Sequence, residues 1–175
     1  MLRPDQKGTL SGIADYAQAQ LTEDNDESGS LLLKAANTFL DQQDAGSEQF
    51  AYDMLNMAIQ RVTDPLLGSE IAATLLPLII NQAMQKNDRK LLSAAAKLPS
   101  ALGEMEEPHK PAIIAYARYA EGLGTDDPAV QRRIFQEVRE MVRDLPKMQG
   151  MYRRLSMMLG GTDDTSEAFV PSLEA

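Results

Sequence analysis

Apolar residues recur three and four positions apart along nearly the whole chain, and no run alternates in twos for long enough to read as a strand. The spacing predicts an all-α fold of about eight helices. The first covers residues 9–21, with Thr9 or Ser11 as cap and Leu10, Ile13, Ala14, Ala17 and Leu21 on one face. Residues 1–8 read as an N-terminal arm. TEDNDESGS follows, and its four acids have nothing to bury, so residues 22–29 read as a solvated acidic linker. A second helix starts after Ser30 and carries Leu32, Leu33, Ala36, Phe39 and Leu40 to about Gln43. The third is capped by Ser47 and places Phe50, Met54, Leu55, Ala58, Ile59 and Val62 in a stripe that ends at Asp64-Pro65.

The helix behind Ser69 is apolar nearly all round, with Ile71, Leu75, Leu76, Leu78, Ile79 and Ala83. Such a helix belongs at the centre of a domain. Pro77 lies inside it, lacks an N–H and crowds the preceding turn, so a kink or restart is predicted there. Asp88 opens a short helix over Leu91, Leu92, Ala95 and Leu98 that Pro99 should stop, followed by a one- or two-turn piece over SALGEMEE. Pro111 suits a helix N-terminus, and Ala112, Ile113, Tyr116, Ala117 and Ala120 form the face that follows, up to Gly122 or Gly124. TDDP starts the next helix, whose stripe of Val130, Ile134, Val138, Met141, Val142 and Leu145 runs to Pro146. A last helix from about Met148 to Leu159 closes at Gly160-Gly161. Residues 162–175 read as an acidic flexible tail, which leaves 9–161 as a single domain.

Short connections favour antiparallel neighbours, in a compact orthogonal bundle or in a short solenoid-like array of helical hairpins. Residues 47–64 place Ala51, Leu55 and Ala58 at spacings similar to the second helix of a tetratricopeptide repeat. That resemblance covers half of one motif, and no other segment repeats it.

Composition narrows the chemistry. The 175 residues contain no Cys and one His, which excludes disulfide frameworks, thiolate nucleophiles, Cys-type zinc sites and iron–sulfur clusters. A Ser-His-Asp triad would have to be built on His109, which sits in EEPHKP between two prolines; the alternatives there are a general base supported by Glu106 or Glu107 and a solvated loop histidine. DNDES places an acid cluster at Asp24, Asp26 and Glu27, but counting from Asp24 the twelfth position of a calcium loop is Ala35, so the bidentate ligand is missing. Asp126 and Asp127 suit the positive end of a helix. Phosphate-loop, dinucleotide-binding, nucleophile-elbow and HExxH motifs are all absent from the sequence. No cofactor, metal or small-molecule substrate is indicated, and an enzyme is not expected. The first residues lack the apolar run of a signal peptide, and no stretch approaches twenty apolar residues, so a cytoplasmic protein without a membrane partner is expected, or one assembled into a particle in a cytoplasm.

Two features point outward. The chain is acidic, with 17 Lys and Arg against 26 Asp and Glu, yet residues 127–159 hold seven basic residues against four acids. Arg132, Arg133, Arg139, Arg143, Lys147, Arg153 and Arg154 form this island, with Arg132, Arg139 and Arg143 close to one face. Ten methionines are also more than one core needs. Adjacent Met157 and Met158, beside Met151, exceed what a single buried stripe can absorb. The predicted function is therefore non-catalytic protein–protein interaction, as a structural subunit, adaptor or scaffold of a larger bacterial or viral assembly, with another chain or a second copy as partner. Arg132, Arg133, Arg139, Arg143, Met151, Tyr152, Arg153, Arg154, Leu155 and Met158 are the expected contact residues, together with Phe169 and Leu173 of the tail. A nucleic-acid-associated regulator using the basic face is the alternative.

Overall fold

In the structure, a computed structural model that describes residues 3–160, the chain forms eight α-helices. They are α1 (Pro4–Leu21), α2 (Asn25–Leu40), α3 (Ala45–Arg61), α4 (Pro65–Lys86), α5 (Arg89–Leu102), α6 (Lys110–Gly124), α7 (Pro128–Val142) and α8 (Gln149–Leu159), with a short 3-10 turn over Pro146–Met148 before the last. The all-α reading holds, and among the described residues there is no strand.

Aspartate decides where most of these helices begin. Asp24, Asp44, Asp64, Asp88 and Asp127 each stand at the N-cap, and their carboxylates accept hydrogen bonds from first-turn N–H groups at 2.8–2.9 Å. An N–H at that position has no partner within the helix, and a carboxylate also suits the positive end of the helix dipole. These caps correct several predicted boundaries. Ser47 and Ser69 lie inside helices that start at Ala45 and Pro65. The expected acidic linker is only residues 22–24, because α2 already runs from Asn25 and buries Ser28 and Gly29. Asp26, far from being merely solvated, accepts from the N–H groups of Thr63 and Asp64 at 2.6 and 3.1 Å and from the Thr63 hydroxyl at 2.9 Å.

Both internal prolines are passed without a break. Helix α4 continues through Pro77 and α5 through Pro99 to Leu102, and residues 103–106 are not helical, so the piece predicted over SALGEMEE does not form. The N-terminal arm is corrected as well: α1 begins at Pro4, with the Gln6 side chain accepting from the Arg3 N–H at 3.0 Å.

Packing proceeds along the chain. Each helix lies against its neighbours in sequence, and beyond them α2 packs on α4 and α4 on α6. The result is a helical bundle in which α2, α4 and α6 lie side by side. Helix α4 sits at the centre as predicted, with Ile71, Leu75, Leu76 and Ile79 buried among α2, α3, α5 and α6. It is also the one described helix long and apolar enough to cross a membrane, but most of that apolar length is covered by its neighbours.

One tie recurs. The N-terminal part of a helix bonds the loop before the helix two further on, at separations of 33 or 37 residues: Thr9 with Gln42, Asp26 with Thr63, Ser69 with the Glu106 N–H, and Arg89 with Asp126.

Helix α1 departs most from expectation. Leu10, Ile13 and Leu21 are 52%, 49% and 85% exposed, and Ala14 and Ala17 are exposed with them. The opposite face, with Gly12, Asp15, Tyr16 and Ala19, meets α2. Gly12 explains the choice, since a Cβ there would stand 2.7 Å from the Phe39 ring. A second close approach occurs where α6 crosses α7. A Cβ on Gly122 would meet Phe135 at 2.7 Å and Ile134 at 2.9 Å.

Gly122→Ala should therefore destabilise the protein by about 1–3 kcal/mol through overpacking, read as a lower urea midpoint. Hydrogen bonds from the Thr63 and Asp64 N–H groups hold the Asp26 carboxyl below its ordinary 3.8, and those from the Ser47 N–H and hydroxyl do the same for Asp44. A depressed folded value means that this stability is complete above pH 3.8 and is lost as pH falls through the lowered value. Urea midpoints measured down an acid series should fall more steeply for the wild-type chain than for Asp26→Asn.

Candidate functional site

Beside α6, α4 presents Glu70, Ala73, Thr74, Pro77 and Asn81 in a row, since residues three and four apart share a helix face. Opposite this row stand Ala112, Tyr116 and Tyr119 of α6 and the segment from Leu145 into α8. Two hollows result. The larger, about 550 Å³, lies between α4, the start of α6 and the 3-10 turn, with Glu70, His109, Tyr116 and Lys147 among its walls. The smaller, about 250 Å³, lies between α4, α6 and α8 and includes Asn81, Tyr119, Met151 and Arg154. Tyr116 is a wall of both.

The chemistry of this groove is mixed. Its floor is apolar, from Ala73, Ala112 and Met148, while Lys147 and Arg154 extend into solvent at its rim with Glu70 opposite. Burial raises the Tyr116 hydroxyl above its ordinary 10.0, so it is a neutral donor at physiological pH. Pro77 has no N–H for the Ala73 carbonyl, and both residues line the groove, which places a backbone acceptor without its usual helical partner at this face.

His109 occupies the N-cap position of α6 without capping it by its side chain. It is half-buried in the wall of the larger hollow, and among the described residues no carboxylate hydrogen-bonds its ring. No group of three or more Asp, Glu or His side chains is placed to hold a metal ion among the described residues. The acids that cluster in the sequence are engaged elsewhere: Asp24 and Asp127 cap helices, Asp26 holds a loop, and Asp126 pairs with Arg89.

The contact residues predicted from sequence do not form one surface. Met151 and Arg154 line the smaller hollow. Arg132 and Met158 line a separate hollow of about 430 Å³ with Phe135 and Leu159, where the Arg132 guanidinium approaches the Leu159 carbonyl at 3.4 Å. Arg133 and Arg153 are exposed, Arg139 is half-buried, and Arg143 is tied to Glu140 at 2.8 Å, so the arginines do not make a continuous cationic row. Leu155 is corrected outright. It is 0% exposed, because the last helix needs it to anchor on the fold. Tyr152 is half-buried and packs on the core, Met157 and Met158 are exposed thioethers, as the methionine surplus suggested, and Met141, expected in the apolar stripe of α7, is exposed as well. Phe169 and Leu173 lie outside the described residues.

Glu70, Thr74, Asn81 and Tyr116 were missed as site residues. Their one signal in the sequence is the polar stripe that Glu70, Thr74 and Asn81 make with Pro77 on an otherwise apolar helix.

Fold and groove together define a class by geometry alone: an all-α helical bundle with an open groove along α4 and α6. No protein-family model matches the chain, and no curated protein or solved structure matches it.

Tyr116 should titrate above pH 10.0, read as the difference between ultraviolet titrations of the wild-type chain and of Tyr116→Phe. Because the folded value is raised, the associated stability is complete below pH 10.0 and is lost as pH climbs through it.

Proposed function

We propose that this protein is a non-catalytic adaptor or scaffold subunit of a larger cytoplasmic assembly, and that it holds a segment of a partner protein across α4, α6 and α8. The observation that carries this reading is the pair of hollows meeting at Tyr116. They are open, and they draw their walls from α4 and α6 together with the 3-10 turn in one and α8 in the other, which makes a continuous concave surface with apolar and polar groups side by side. The partner segment supplies apolar side chains for the two hollows and carboxylates for Lys147 and Arg154. Its backbone N–H groups find an acceptor in the Ala73 carbonyl left by Pro77, and its carbonyls find a donor in the Tyr116 hydroxyl. The flexible thioethers of Met148 and Met151 adapt the walls to the segment's shape.

Charge reversal at the rim tests this reading. Lys147 and Arg154 are exposed, so Lys147→Glu/Arg154→Glu should leave helicity and melting temperature unchanged. Affinity for a co-purifying partner should fall at least tenfold, and Asn81→Trp, which fills the smaller hollow, should produce the same loss. Undiminished partner binding by both variants would overturn the proposal.

A further inference from the structure

The described residues end at Gly160, beside a hollow that the groove does not use. It measures about 430 Å³ and lies where the start of α7 meets the end of α8, walled by Pro128, Ala129, Arg132, Phe135, Met158 and Leu159. Phe135 and Leu159 are buried and form its floor, while Ala129, Arg132 and Met158 stand exposed at its sides. Gly160 ends α8 with φ +124, a left-handed backbone that glycine adopts without a Cβ clash and that turns the chain off the helix axis. The Arg132 guanidinium is 3.4 Å from the Leu159 carbonyl, so the chain beyond Gly160 starts next to that cation.

We infer that the occupant of this hollow is the C-terminal segment of the same chain, residues 161–175. Its chemistry is complementary: it holds Asp163, Asp164, Glu167 and Glu174 with no basic residue, and Phe169, Val170 and Leu173 as apolar side chains. Asp163 and Asp164 come first and meet Arg132, with the exposed Arg133 beside it adding positive charge. The acids already at this end of α7 are engaged, since Asp127 caps the helix and Asp126 pairs with Arg89. Phe169 lies nine residues beyond Gly160, a length that spans about 30 Å when extended. The hollow begins at Leu159, so the segment has slack to turn back and lay Phe169 over the floor beside the Met158 thioether, a contact that sulfur and ring favour. Closing so short a loop costs little entropy, and the tether keeps the segment at high effective concentration over the hollow. Once docked, it ties the end of α8 to the start of α7.

Chymotrypsin cleavage after Phe169, followed by mass spectrometry on the full-length chain, is the test, because proteolysis tracks the population of the open form when opening is fast. Cleavage should be at least tenfold slower than in a synthetic peptide of residues 161–175, and the protection should not depend on protein concentration. Ala129→Trp, which fills the hollow, and Asp163→Lys/Asp164→Lys, which removes the charge match, should each restore cleavage at the peptide's rate with an unchanged circular dichroism spectrum. Adding Arg132→Glu/Arg133→Glu to the lysine variant should bring the protection back, which loss of structure would not do. Cleavage of the wild-type chain at the peptide's rate would overturn the inference. Protection that rises with protein concentration would overturn it too, since the segment would then dock on a second copy, and so would protection that Ala129→Trp leaves intact, since the segment would then lie elsewhere on the fold.

Discussion

The structure rests on one repeated constraint: the N-terminal part of a helix is tied to the loop that precedes the helix two places on. Asp26 shows how it works. One carboxylate takes the N–H groups of Thr63 and Asp64, which have no helical partner of their own, and so fixes where α4 begins relative to α2. Asp64 then caps α4, and Ser69, a turn and a half along, accepts from the Glu106 N–H before α6. Each tie sets the start of an even helix against the even helix before it, and α2, α4 and α6 come into one layer. The odd helices are set in the same way by Thr9 with Gln42 and Arg89 with Asp126.

The groove is a consequence of that layering. Helices α4 and α6 are held side by side, and the turn at Pro146 brings α8 against them with Met151 and Arg154 facing the gap. Tyr116 stands where the three elements meet, which is why burial keeps its hydroxyl protonated and why it faces both hollows. The arginines divide for the same reason. Leu155 and Leu159 turn α8 inward, so Arg154 is left on the groove and Arg153 is left in solvent, while Arg132 reaches the end of α8 from α7. A row of cations in sequence becomes separate charges on separate surfaces.

The acidic character of the chain has a structural use. Three of its early aspartates, Asp24, Asp44 and Asp64, stand twenty residues apart, and each starts a helix. The spacing of α2, α3 and α4 is therefore marked by caps and not by the apolar pattern, so recurring hydrophobic motifs do not reveal it. DNDES reads as a linker in sequence because its carboxylates have no visible partners until the α3–α4 loop folds back on them.

Helical period, a central α4 and the cap at Asp88 or Asp127 were legible in the sequence because they depend on residues within a turn of one another. Arg154 was legible as an outward residue because its charge keeps it in water, whereas Leu155, read as outward with it, is buried by contacts that the helix alone does not show. Which face of α1 is buried was not legible. Leu10, Ile13 and Leu21 make the better hydrophobic stripe, yet Gly12 and Ala19 are the ones that let α2 come close, and close packing against a particular neighbour outweighs the burial of Leu10, Ile13 and Leu21. Tyr116 belonged to no motif, and only the meeting of α4, α6 and α8 made it the centre of a groove. Local periodicity determines elements, whereas the choice of partner for each face depends on contacts between residues 33 or 37 apart in the chain, which no local pattern encodes.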